Sequence, residues 1–283
     1  EKFSQLAGKV LMSILFTKMS GSGNDFIIID NRESLVKNSE KRDFVSRICI
    51  PKVSVGADGV IFIESSEKVD FKWDFYNGDG SSAEMCGNGG RCVARYAYEK
   101  KIASDKMAFE TTAGIIEAEV KGNYVRIKLT NPENLQRNID IDLNGKMYQV
   151  DSLNTGVPHA IIYTRDIMDE DVFGLGRCIR SHPIFSPAGT NVDFVQKQGE
   201  NELRIRTYER GVEDETLACG TGVVASALLA SRAGMVQPPV CVETKGGEVL
   251  TVDFKAVSEG ESFGDVFLEG SAKLVFEGTI VEI

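Results

Sequence analysis

The sequence of 283 residues predicts an α+β protein whose fold is written twice. Three observations predict it. A pattern of glycines repeats at a shift of 133 positions. Each copy runs through short apolar strands into one helix of small residues. Further strand pattern follows each helix. The expected architecture is two pseudo-symmetric duplicated domains, each a β-rich wall around a central helix, with the active site in the interdomain cleft. Such clefts are preferred ligand sites.

The repeat comes first because it decides the architecture. A shift that carries Cys86 onto Cys219 also carries Gly23 onto Gly156, Gly56 onto Gly189 and Gly78 onto Gly211. Gly87 and Gly89 fall on Gly220 and Gly222, and Gly114 falls on Gly247. Ala94 and Ala97 meet Ala227 and Ala230. Glycines mark backbone positions of positive φ or close approach, so their coincidence at one offset argues for repeated structure.

The elements follow in order. Phe26–Ile29 and Ala160–Tyr163 are apolar runs after a glycine turn, and read as strands. Residues 60–63 and 192–195 read the same way, and Phe71–Tyr76 and Leu203–Glu209 alternate as half-buried strands do. A Cys-Gly-x-Gly turn then opens a helix over Arg91–Lys101 in one half and Val223–Ala233 in the other. Strand pattern resumes at 107–119 and 124–129, and again at 240–254 and 265–269. Between the halves, residues 131–145 hold Pro132, Asn138 and Asn144–Gly145, and read as a linker. The expected domains are 14–131 with 272–283, and 132–271. Residues 1–13 are read as an extension or vector remnant, with Met12 a candidate natural start.

Composition narrows the function classes. A net charge of -10 argues against nucleic-acid binding, which needs a basic footprint. No stretch offers the about 18 apolar residues of a membrane span. The six cysteines stand in a long chain without a readable secretory signal, so a reduced cytoplasmic setting is expected. There is no C-x-x-C pair, and the two histidines, His159 and His182, have no ligand spacing, so no metal is expected. Oligomeric state is unreadable, and a homodimer stays open.

Cys86 and Cys219 share one context of strand, turn, glycines and helix. That places each sulfur at a helix N-terminus, where unpaired N–H groups carry partial positive charge and lower a thiol's pKa. The neighbouring N–H groups can hold a carboxylate. Two such sites suggest proton exchange at a stereocentre. A thiolate removes the proton from one face and a thiol returns one to the other. The planar carbanion is stabilised through its carboxylate. A lone cysteine there would read as a small buried hydrophobe, and Cys49, Cys92, Cys178 and Cys241 are read so.

These residues sit in motifs that resemble the diaminopimelate epimerases. The motifs are K-M-S-G-S-G-N-D-F at Lys18–Phe26, F-Y-N-G-D-G at Phe75–Gly80, M-C-G-N-G-G-R-C at Met85–Cys92, G-T-N-V-D-F at Gly189–Phe194 and E-R-G-V-E-D-E-T-L-A-C-G-T-G at Glu209–Gly222. The resemblance runs from about Phe16 to the C-terminus. It implies interconversion of LL- and meso-diaminopimelate on the route to lysine and peptidoglycan precursors, with no pyridoxal phosphate, no other cofactor and no metal. It implies Cys86 and Cys219 as the catalytic pair, supported by His159 and Glu209. The substrate contacts it implies are Asn24, Asn77, Gly87, Asn88, Asn191, Glu209, Arg210, Gly220 and Thr221. Arg210 suits a distal carboxylate, and the asparagines can both accept from an ammonium and donate to a carboxylate.

Two positions depart from the family's commonest pattern. Val157 stands where many members have Asn, with Asn154 or Thr155 near enough to replace it, and Gly59 stands where some have Gln. The rivals are a proline or hydroxyproline racemase of the same fold, a phenazine-type isomerase that lacks the cysteine pair, and a non-catalytic amino-acid binder or thiol-redox protein. Asn77, Asn191 and Arg210 together favour a substrate charged at both ends.

Overall fold

The structure, a computed structural model, describes residues 13–83, 85–143, 145–257 and 262–281. The proposed extension 1–13 therefore lies outside the described residues except for Ser13. In chain order the first elements are β1 (Ile14–Gly21), β2 (Asn24–Asp30), α1 (Asn38–Ile48), β3 (Gly59–Glu64), β4 (Phe71–Asn77) and α2 (Gly87–Glu99). Then come β5 (Lys106–Thr111), β6 (Gly114–Lys121), β7 (Tyr124–Lys128), β8 (Glu133–Leu143), β9 (Lys146–Asn154) and β10 (Pro158–Tyr163). They are followed by α3 (Val172–Arg180), β11 (Asn191–Lys197), β12 (Glu202–Glu209), β13 (Asp214–Thr216) and α4 (Gly220–Arg232). The last strands are β14 (Val240–Glu243), β15 (Val249–Val257), β16 (Ser262–Ser271) and β17 (Lys273–Ile280).

Two compact units result. One holds the chain up to Ile115 and again from Lys273, and the other holds Ile116–Ala272. The sequence reading divides the chain after residue 131 instead. The physical reason for the difference is β7, which pairs antiparallel with β16 and draws its β6 partner with it. The residues read as a linker are also different: 133–143 form β8, paired with β9. Asn138, read as a breaker, and Asn134 take φ of 56° each and lie where the β8–β9 register shifts. They are β-bulges inside a strand, which left-handed asparagines accommodate.

Within the first unit, β1 pairs with β17 and β2, β2 runs parallel to β3, β3 antiparallel to β4, and β4 parallel to β5. The second unit repeats this with β9, β10, β11, β12 and β14. The β1–β2 turn holds Ser22 and Gly23 at φ of 51° and 88°, the pair of positive values a type I′ hairpin requires.

One face of each sheet carries an amphipathic helix that the sequence reading did not anticipate. In the first unit Phe44, Val45 and Ile48 of α1 pack on Ile27, Ile29, Val60 and Phe62. In the second, Val172 and Ile179 of α3 pack on Ile162, Val192, Phe194 and Tyr208. Gly176 keeps α3 close, since a Cβ there would stand 2.5 Å from the Tyr208 Cβ. Cys178, read as a packing residue, is exposed on α3.

The opposite face carries α2 or α4, each of 13 residues and offset by the same 133 positions. Both begin one residue after a cysteine, earlier than Arg91 and Val223. Ala94 and Ala97, with Ala227 and Ala230, are fully buried. Small side chains there let strand residues come close to the helix.

Candidate active site

Cys86 and Cys219 are the N-cap residues of α2 and α4, in extended conformations with φ of -142° and -122°. An N-cap leaves the first-turn N–H groups pointing past the side chain. Cys86 is partly exposed, and its sulfur accepts from the Gly89 N–H at 3.5 Å.

Around Cys86 the first unit gathers Asn88 and Asn24. Asn88 Nδ2 donates to Asn24 Oδ1 at 2.8 Å, and Asn24 Nδ2 donates to Asp58 Oδ2 at 3.0 Å. Arg91, wholly buried, donates to Asn88 Oδ1 at 2.9 Å and to Ser22 Oγ. The two asparagines are therefore held in one orientation by fixed charges. Asn77 ends β4 with its amide on Ser81 Oγ at 3.0 Å, an exposed contact. Gly59 leaves no room for a larger side chain. A Cβ there would lie 2.5 Å from the Tyr76 carbonyl oxygen.

Around Cys219 the second unit builds a buried chain of hydrogen bonds. Cys219 Sγ lies 3.4 Å from Thr221 Oγ1, and Thr221 Oγ1 lies 2.9 Å from His159 Nε2. His159 Nδ1 lies 2.7 Å from Asp193 Oδ2, and Asp193 Oδ1 accepts from Thr207 Oγ1 at 2.6 Å. His159 and Asp193 are both 0% exposed. Asp193 and Thr207 are absent from the sequence-predicted set. The signal was a carboxylate at the centre of the apolar run Val192–Val195, because a buried charge needs partners.

Glu209 ends β12 nearby, and Arg210 follows it. Arg210 Nη1 donates to the Ala188 carbonyl at 2.9 Å, and its backbone N–H donates to Asn191 Oδ1 at 2.8 Å. Asn191 Nδ2 donates to the Pro158 carbonyl. Beside Val157, the Asn154 side-chain Oδ1 accepts from the Gly156 N–H and the Thr155 hydroxyl donates to the Thr221 carbonyl. Asn154 and Thr155, the two side chains expected to compensate for Val157, are thus both engaged within the unit.

Electrostatics correct one expectation. Burial pushes the Cys219 thiol above its ordinary range, and the charges of Glu209 and Asp193 push it further. The Thr221 hydroxyl and Gly222 N–H oppose them without prevailing. The helix N-terminus alone therefore does not make Cys219 a resting thiolate. Burial likewise raises Glu209, against the Thr216 hydroxyl and His159. Among the described residues, no group of three or more His, Cys, Asp and Glu could hold a metal ion, and all six cysteines are unpaired by disulfides.

The fold is one shared by isomerases and racemases. A phenazine biosynthesis protein of the PhzF family from Bacillus anthracis superposes with a TM-score of 0.73 at 16% identity, over 95% of this chain and 99% of that one. A probable proline racemase from Agrobacterium radiobacter superposes at 0.69 with 14% identity, over 94% and 92%. Sequence narrows the class. The family model described as diaminopimelate epimerase matches residues 16–133 and 152–275. A diaminopimelate epimerase from Aquifex aeolicus is 47% identical over 278 residues, covering 94% of this chain and 98% of its own. The chain belongs to the diaminopimelate epimerase family and is an isomerase.

Proposed function

We propose that this enzyme interconverts LL- and meso-diaminopimelate by proton transfer between the substrate α-carbon and two thiols, Cys86 and Cys219, with no cofactor. The observation that carries the reading is the pair of cysteines capping helices at equivalent points of a repeated fold. One sulfur, as thiolate, takes the α-proton, and the electron pair flows into the adjacent carboxylate. The other, as thiol, delivers a proton to the opposite side of the carbon. The first N–H groups of α2 and α4, at Gly87–Asn88 and Gly220–Thr221, suit the carboxylate that carries the developing charge. Arg210 suits the distal carboxylate and Asn24, Asn77 and Asn191 the remaining polar groups. His159 and Glu209 support the proton transfers. The product feeds lysine and peptidoglycan precursor synthesis in a cytoplasmic setting.

The test is isotopic. In D2O the reduced protein should place deuterium at Cα of LL- and meso-diaminopimelate, read by NMR. Absence of exchange would rule the reading out, and exchange of the proline α-proton instead would favour the racemase. Cys86→Ala and Cys219→Ala should each lower kcat by about 10²–10⁴-fold with the circular dichroism unchanged.

A further inference from the structure

The two cysteines do not have equivalent surroundings. Register shows it. Phe26 stands opposite Gly59 in the parallel β2–β3 pair, as His159 stands opposite Asn191 in β10–β11. Ile61 stands opposite Phe75, as Asp193 stands opposite Thr207. The glycine at the third helical position confirms the match. A Cβ on Gly89 would meet Ile61 Cδ1 at 3.2 Å, and a Cβ on Gly222 would meet Asp193 Oδ1 at 2.4 Å. Phe26, Ile61 and Phe75 thus occupy the places of His159, Asp193 and Thr207. Phe26 and Phe75 meet edge to face at 5.9 Å. An apolar trio lies below Cys86 where a polar one lies below Cys219.

The polar trio has a defined hydrogen-bond sense. The Asp193 carboxylate can only accept, so His159 Nδ1 carries its proton toward it. In the neutral form of the ring that leaves Nε2 bare, and the Thr221 hydroxyl donates to it. The remaining lone pairs of that hydroxyl oxygen face Cys219 Sγ. We infer that Asp193 is a positioning residue for proton transfer at Cys219: it holds His159 as the Nδ1–H tautomer, so that the Thr221 hydroxyl relays a proton between Cys219 Sγ and His159 Nε2. In one direction the S–H bond breaks and its electron pair stays on sulfur. The proton passes to Thr221 Oγ1 as the hydroxyl's own proton passes to Nε2. The products are a thiolate, an imidazolium and an unchanged hydroxyl, and the reverse step restores the thiol. Buried Asp193 adjoins the charge the ring gains. The charged and titratable groups facing this relay are Asp193 from β11, Glu209 from β12 and His159 from β10, while α4 contributes Thr221. Cys86 has no such relay from its equivalent strand positions.

This inference rests on the reading of Cys219 as an acid–base group, and its test separates the two. The protein has only two histidines, so ¹⁵N-imidazole NMR of the full chain gives two pairs of ring-nitrogen signals, with His182→Gln identifying the pair that is not His159. The expected result is His159 as the Nδ1–H tautomer. In Asp193→Asn the Thr207 hydroxyl holds the amide oxygen at the Oδ1 position, so the amide NH2 faces Nδ1 and turns the ring to Nε2–H. In that variant kcat for diaminopimelate should fall about 10²–10⁴-fold with KM within about threefold. Thr221→Ser should keep kcat within about tenfold, and Thr221→Val should lose it as Asp193→Asn does. An Nε2–H tautomer in the unmodified protein overturns the inference, as does Thr221→Val with kcat unchanged. Both results stand even where Asp193→Asn does not fold. Failure of the unmodified protein to exchange diaminopimelate would instead overturn the proposed function, with the tautomer still deciding the role of Asp193.

Discussion

Glu209 shows how one residue's environment sets two measurable quantities. Burial raises its pKa, so between the unfolded and folded values the native state binds more protons than the unfolded chain. Stability contributed by protonated Glu209 is therefore present in acid and is lost as pH rises through the folded pKa. Glu209→Gln should accordingly gain in Tm relative to the parent at pH above the ordinary carboxylate range, and the gain should vanish in acid. The same substitution removes a negative charge that raises Cys219. The thiolate absorbance assigned to Cys219 should then appear at lower pH in Glu209→Gln. A Tm difference independent of pH would contradict this account of the carboxyl. At this scale the sequence was most legible in the backbone: the Cys-Gly-x-Gly turns at Cys86 and Cys219 do open helices. Asp193 escaped because its partners, His159 and Thr207, come from strands that only folding brings together. The pKa of Cys219 escaped for the same reason, since burial is a tertiary property.

At the scale of elements, Lys41 ties α1 to the sheet beneath it. Its ammonium is buried and lies 2.6 Å from Glu64 of β3 and 2.7 Å from Asp74 of β4, over the Phe62 ring. Burial opposes its charge, but the Asp74 and Glu64 hydrogen bonds outweigh that and raise its pKa. The stabilisation is therefore complete below the unfolded lysine pKa and lost only as pH rises through the folded one. Removing one partner from a buried ion cluster leaves charge uncompensated, at a cost of about 3–5 kcal/mol. Lys41→Ala should lower the urea-unfolding free energy by that amount at neutral pH, and the deficit should shrink in strong alkali. Its kcat should be unchanged, because Lys41 belongs to the helix on the face opposite α2. The central strands and helices were readable from apolar runs and glycine spacing. α3 was not, because Gly174 and Gly176 argue against a helix until the Asp171 cap beside the first and the Tyr208 side chain against the second are known. β8 was hidden by asparagines that serve as bulges instead of ends.

For the whole molecule, duplication explains the shared topology, and divergence between the copies explains the chemistry. The 133-residue offset repeats both helices residue for residue, yet the strands below them carry Phe26, Ile61 and Phe75 in one unit and His159, Asp193 and Thr207 in the other. The two thiols should therefore differ when each is probed by itself. Cys86 is partly exposed, while Cys219 is 7% exposed and has its thiol raised by burial and two carboxylates. Alkylation depends on access and on the thiolate fraction, and for Cys219 both are low. With iodoacetamide at mildly alkaline pH, Cys86 in the Cys219→Ala protein should label faster than Cys219 in the Cys86→Ala protein. Peptide mass spectrometry measures this directly. Glu209→Gln should quicken the Cys219 reaction, because the Glu209 charge raises that thiol. Equal rates at the two sulfurs would mean that the copies have kept equivalent thiol environments despite their different strands.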